Sequence, residues 1–100
     1  MVVGPGASFG SRCTISAHGI IGANALIKYG FVLTDTPDLR DGGRKSAGSV
    51  GANALIGANV CLMPGCHIGN GAVIGACSQV RCDVPAGETW YGNPARKSER

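Results

Sequence analysis

The chain is poor in charge and in aromatic surface: charged residues make up 15% of its 100 residues and aromatic residues 5%. With so few aromatics and no long basic stripe to interleave them with, a nucleic-acid groove is excluded. Low charge beside 44% hydrophobic residues also excludes disorder. No apolar stretch approaches membrane-spanning length, and no charged segment followed by an apolar run opens the sequence. The expectation is a soluble, cytoplasmic protein that engages no membrane. Histidine occurs only at His18 and His67, too few for the three-histidine zinc site of a γ-class carbonic anhydrase. The five cysteines are an odd number without a C-x-x-C pair. They read as reduced thiols rather than as a disulfide or zinc framework, and no metal is expected.

Glycine, at 17 residues, is more than twice its usual share, and a repeat explains it. Stepping by six from Val3 meets Phe9, Ile15, Ile21, Ile27 and Leu33; stepping by six from Val50 meets Ile56, Leu62, Ile68, Ile74 and Val80. All are large and apolar. Four places later in each hexad the residue is small or slim, with Phe31 and Pro37 as exceptions. The fourth place is glycine or asparagine in seven hexads: Gly6, Asn24, Gly30, Asn53, Asn59, Gly65 and Gly71. These are residues that tolerate a left-handed backbone conformation at a corner. His18 holds the same place and is expected to share that conformation.

The fifth and first places therefore point inward, the sixth points outward, and places two to four turn a corner. Each fifth-sixth-first triplet forms a short strand, and three such sides close a triangular coil of about eighteen residues whose neighbours pair in parallel at roughly 4.8 Å. A helix is excluded, because a six-residue period puts no single face inward at 3.6 residues per turn. The expected architecture is all-β, a parallel β-helix of about four triangular coils in one domain spanning 1–100. The coils occupy 3–38 and 50–85, an extruded loop occupies 39–49, and a C-terminal cap occupies 86–100. Val50 falls where the next coil should begin, so the loop leaves and returns without loss of register. Trp90 and Tyr91 are suited to cover the axis beyond Ile74 and Val80.

The run from Val50 to Lys97, VGANALIGANVCLMPGCHIGNGAVIGACSQVRCDVPAGETWYGNPARK, resembles the final two coils and closing segment of the hexapeptide-repeat acyltransferases, which include maltose, galactoside and sugar-nucleotide acetyltransferases. The most specific part is D-V-P-A-G…G-N-P-A-R, here Asp83 to Gly87 and Gly92 to Arg96. The resemblance implies a left-handed β-helix, a homotrimer, and acetyl-CoA as acyl donor in a groove between subunits, with a small-molecule acceptor. Carried across residue by residue, it puts pantetheine contacts at Ala58, Ala76 and the Arg81–Cys82 pair. A nucleotide phosphate contact falls at Arg96, where a guanidinium suits the chemistry. Arg81-Cys82 stands where the family often has Thr-Lys, which keeps a cation one place early.

The sugar acetyltransferases take their base from a histidine just before a proline. Thr36 occupies that place here. In some sugar-nucleotide N-acetyltransferases the segment reads like F-T-N-x-x-x-P-R without histidine. The stretch from Phe31 to Pro37 is similar, with Asp35 at the asparagine's place. Asp35 is thus a candidate for orienting an amine acceptor. His67, sixth in its hexad, points outward on the side carrying Ile20 and Ser49. It is a candidate base or, alternatively, a solvated or interface histidine. Arg40, Arg44 and Lys45, and separately Arg96, Lys97 and Arg100, form two basic groups that read either as solvated loop and tail or as two small anion sites. The missing histidine, and a start at Met1 that enters a coil at once, leave a second reading: a non-catalytic β-helix, or a truncated transferase retaining only trimer and coenzyme A elements.

Overall fold

Each sixth-first pair of the repeat forms a two-residue strand, and three strands make one turn of the solenoid. A computed structural model of the chain describes residues 1–36, 40 and 45–98. The first coil holds β1 (Val2–Val3), β2 (Ser8–Phe9) and β3 (Thr14–Ile15); the second holds β4 (Ile20–Ile21), β5 (Leu26–Ile27) and β6 (Val32–Leu33). The third holds β7 (Ser49–Val50), β8 (Leu55–Ile56) and β9 (Cys61–Leu62), and the fourth holds β10 (His67–Ile68), β11 (Val73–Ile74) and β12 (Gln79–Val80). Two further strands, β13 (Thr89–Gly92) and β14 (Ala95–Lys97), follow, and there is no helix among the described residues.

The strands stack into three sheets, parallel except for the last strand of the second, β1-β4-β7-β10, β2-β5-β8-β11-β13-β14 and β3-β6-β9-β12, which we call sides A, B and C. Ile20 pairs with Val2 below it and with Ser49 above it, so the excursion after β6 lengthens the sequence separation between paired strands and leaves the register and the stacking intact. The solenoid is the expected left-handed β-helix. Place one fills the axis: Ile21, Ile27, Leu33, Val50, Ile56, Leu62, Ile68, Ile74 and Val80 are all buried. Phe31, too large by the pattern of its place, is buried completely (0% exposed). The first coil differs: Val3 and Phe9 hold the same place and, with no further coil beneath them among the described residues, are 43% and 40% exposed.

The corners follow backbone sterics. All seven glycines and asparagines of the fourth place have positive φ, as do Arg12 and Cys77. A side chain on Gly30 (φ 77°) would start 2.1 Å from Asn59 Oδ1 in the coil above. At the second place, a Cβ on Gly57 would lie 2.6 Å from the Ala76 backbone nitrogen, so this corner stacks under the next coil only with glycine at position 57. His18 does not take the expected left-handed conformation. Its corner closes instead by the Gly19 N–H donating to the Ser16 carbonyl at 3.0 Å.

The solenoid runs beyond four coils. Val84 bridges to Ile68 on side A, and β13 pairs in parallel with β11 on side B, Trp90 over Ile74. Part of the expected cap is therefore a fifth, incomplete turn. Trp90 takes the inward place of a hexad's large residue, whereas Tyr91 points away and is 54% exposed, so only Trp90 covers the axis. β14 then folds back antiparallel on β13 and ends side B.

Candidate functional site

The hairpin of β13 and β14 carries Trp90, Arg96 and Lys97 toward the corner that follows β12. Its hold on the solenoid is specific: Ala95 is buried, and the Gly92 N–H donates to the Oγ of buried Ser78 at 2.9 Å. Between hairpin and corner lies a cavity of about 360 Å³ lined by Arg81, Cys82, Trp90, Ala95, Arg96 and Lys97. Glu88 accepts the Trp90 indole N–H at 2.9 Å and pairs with Lys97 at 3.5 Å. Arg81 and Arg96 have no carboxylate partner among the described residues. Two uncompensated guanidiniums beside an indole can hold an anion and stack a planar group.

Ala58 and Ala76 occupy the same corner in successive coils, where the Cys77 N–H donates to the Ala58 carbonyl at 2.8 Å. Ala76 lines a shallow groove of about 320 Å³ on side B with Leu26, Lys28, Leu55, Val73 and Gly75. Ala58, one coil below Ala76, does not line it, although its neighbour Gly57 does.

Asp35 lies in a cavity of about 570 Å³ at the foot of the excursion, among Thr14, Ser16, Thr34, Thr36 and Met63. Its Oδ1 accepts the Thr36 hydroxyl at 2.9 Å, and Lys45 Nζ donates to Thr36 Oγ1 at 3.3 Å. The Ser46 N–H donates to the Asp35 carbonyl at 2.6 Å and closes the neck of the excursion. Ser16 Oγ is buried and has no partner among the described residues. Pro37 to Leu39 and Asp41 to Arg44 lie outside the described residues.

His67 stands on side A. Its Nδ1 is 2.7 Å from Ser49 Oγ directly below, and its backbone N–H donates to Asp83 Oδ1 at 2.9 Å. It does not line the Asp35 cavity. Nearby, burial pushes the Cys66 thiol pKa up, and Asp83 and Cys82 push it the same way; burial alone raises that of Cys61. Among the described residues no group of three histidine, cysteine, aspartate or glutamate side chains could hold a metal ion.

The structure thus brings Arg81, Cys82 and Arg96 into one cavity and keeps Ala58 and Ala76, Asp35, and His67 at three other places. Sequence reasoning assigned Trp90 to the axis alone, although its side chain also lines the basic cavity. It placed Ser49 on the side of His67 but not in contact with it. The eighteen-residue offset puts Ser49 beneath His67, so the signal was present. Nothing in the sequence marked the orphaned hydroxyl of Ser16.

Residues 48–82 match the family model described as bacterial transferase hexapeptide (six repeats), and the repeat that builds this solenoid is that hexapeptide. Among curated relatives, YvoF of Bacillus subtilis (strain 168), provisionally named an acetyltransferase, is 37% identical over 76 residues, covering 76% of this chain and 44% of its own length. WbbJ of Escherichia coli (strain K12), provisionally named a lipopolysaccharide biosynthesis O-acetyl transferase, is 42% identical over 60 residues, covering 60% of this chain and 30% of that protein. Soybean serine acetyltransferase superimposes with a TM-score of 0.88 at 32% identity over 97% of this chain and 40% of that one. A serine acetyltransferase solved in complex with CoA gives 0.85 at 27% identity, over 97% of this chain and 39% of the other. The chain therefore spans less than half the length of these relatives.

Proposed function

We propose that the chain forms the acyl-donor part of an acyl-CoA-dependent acetyltransferase, assembled as a homotrimer. The observation that carries this reading is the basic cavity, in which Arg81 and Arg96 have no carboxylate partner among the described residues and Trp90 lies beside them. Coenzyme A presents phosphates and a planar base at one end of a long arm, which suits that combination. The acetyltransferase names of the relatives and the CoA complex of a structural neighbour support it. Ala58 and Ala76, flat at a stacked corner, are the proposed pantetheine contacts.

The acceptor enters the cavity at the foot of the excursion, where Asp35 orients its amine or hydroxyl. A sugar or amino sugar fits this lining of hydroxyls and one carboxylate. His67, exposed and outside that cavity, serves such an acceptor as base only across a subunit seam. No helix among the described residues is long and apolar enough to cross a membrane, and a cytoplasmic location belongs to the same proposal. Titration calorimetry with acetyl-CoA, followed by thiol release with sugar and amino-sugar acceptors, tests the reading. Absence of heat with millimolar coenzyme A ends it. Binding without thiol release favours the second reading, a β-helix that binds but does not transfer; the separation of His67 from Asp35 within one chain supports that alternative.

A further inference from the structure

Ser49 and His67 are the sixth-place residues of β7 and β10, and the ladder puts them in direct register. Their side chains meet on the exposed outer face of side A, Ser49 Oγ to His67 Nδ1 at 2.7 Å, a full-strength O–H···N distance. Neither backbone is free to drift. The Ser49 N–H donates to the Cys66 carbonyl at 3.2 Å, and Asp83 Oδ1 holds the His67 N–H from the turn above. In the tautomer with the proton on Nε2, Nδ1 accepts and the Ser49 hydroxyl donates. A hydroxyl held against an imidazole lone pair is the pairing that activates a serine nucleophile.

We propose that Ser49 is an acyl-accepting hydroxyl with His67 as its general base, so that the chain carries a covalent acylation site of its own. In the step, Ser49 Oγ attacks the carbonyl carbon of an activated ester or thioester and gives its proton to His67 Nδ1. The new bond is acyl carbon to Oγ; the bond that breaks is acyl carbon to the thiolate or phenolate, which leaves with the proton from the imidazolium. The inference gives His67 a reactant within its own chain, and it rests on the side A geometry rather than on the coenzyme A reading. The backbone N–H groups of both residues are already bonded, that of Ser49 to the Cys66 carbonyl and that of His67 to Asp83 Oδ1, so they supply no oxyanion donors. The pair alone sets the rate, and stoichiometric labelling rather than fast turnover is expected.

The test is to incubate the full chain with 4-nitrophenyl acetate, and separately with acetyl-CoA, and to map acetyl groups by peptide mass spectrometry. Acetyl is expected on Ser49. His67→Gln should slow that labelling about a hundredfold, and Ser49→Cys, which keeps a nucleophile at the same place, should label faster than the parent. Both side chains are on the surface, and unchanged melting temperatures should show that the variants fold. Acetyl groups confined to lysines and the native cysteines would overturn the proposal, as would a His67→Gln variant that labels Ser49 as fast as the parent. Labelling by the aryl ester but not by acetyl-CoA supports the pair and counts against the coenzyme A reading instead.

Discussion

Arg96 and Lys97 are neighbours in β14 with different surroundings. Lys97 is held by Glu88, which also anchors the Trp90 indole, while Arg96 faces the basic cavity with no acidic partner among the described residues. A charge-assisted contact to a phosphate contributes about 1.5–3 kcal/mol, so Arg96→Ala should weaken coenzyme A binding about ten- to a hundredfold by calorimetry. Dephospho-coenzyme A should barely respond if the 3′-phosphate is the partner, and equal losses for both ligands would move Arg96 to the diphosphate. The cysteines divide in the same local way. Burial favours the neutral thiol at Cys61 and Cys66 and raises their pKa, whereas Cys77 and Cys82 are exposed. A raised pKa leaves less thiolate at neutral pH, so iodoacetamide should modify Cys77 and Cys82 first and Cys61 and Cys66 last, read by timed peptide mapping. At this scale the site was half legible. Arg81, Cys82 and Arg96 could be placed because their segment ends in a specific motif; the hydrogen bond of Ser49 to His67 depends on a rotamer that no periodicity encodes.

At the scale of the strand and coil, hexad place sets direction, and position along the axis sets burial. Ile56 pairs with Ile27 below and Ile74 above and is 1% exposed; Val3 holds the same place in the first coil and is 43% exposed. A carboxylate at Ile56 would be buried without a partner, at a cost of several kcal/mol, whereas at Val3 it reaches water. Ile56→Asp should abolish the cooperative melting transition and Val3→Asp should leave it nearly in place, as followed by circular dichroism. Equal effects would show that the axis is not the source of stability. Twelve strands and their register across the excursion were readable, because a fixed period of six and a coil of eighteen leave one arrangement that puts every large residue inside. The fifth turn was not. Thr89 to Gly92 contain no hexad, and they join side B because the Val73 and Gly75 N–H groups find acceptors at Glu88 and Trp90, both 2.9 Å away.

For the whole molecule, about 39 × 29 × 22 Å, the three sides differ in what they show to solvent. Side B presents Leu26, Leu55 and Val73 in one vertical row, with Leu26 and Leu55 40% and 46% exposed. Side A presents Val2 and Ile20, 62% and 51% exposed, at one end of its row and Ser49 and His67, bonded to each other, at the other. An apolar stripe over a shallow groove is a surface that gains by being covered, at about 25 cal/mol for each Å² removed from water. In a homotrimer side B is accordingly the face expected against a neighbour. Threefold symmetry repeats any substitution three times around the axis, so Leu55→Glu would place three carboxylates at the seams. By light scattering at micromolar concentration the parent chain should have the mass of three copies. Leu55→Glu should have the mass of one, with a folded circular dichroism spectrum because Leu55 points away from the core. A parent chain that is monomeric would remove the trimer from the proposal, and a Leu55→Glu variant that stays trimeric would move the seam to side C, where Val32 and Cys61 form the other partly apolar row.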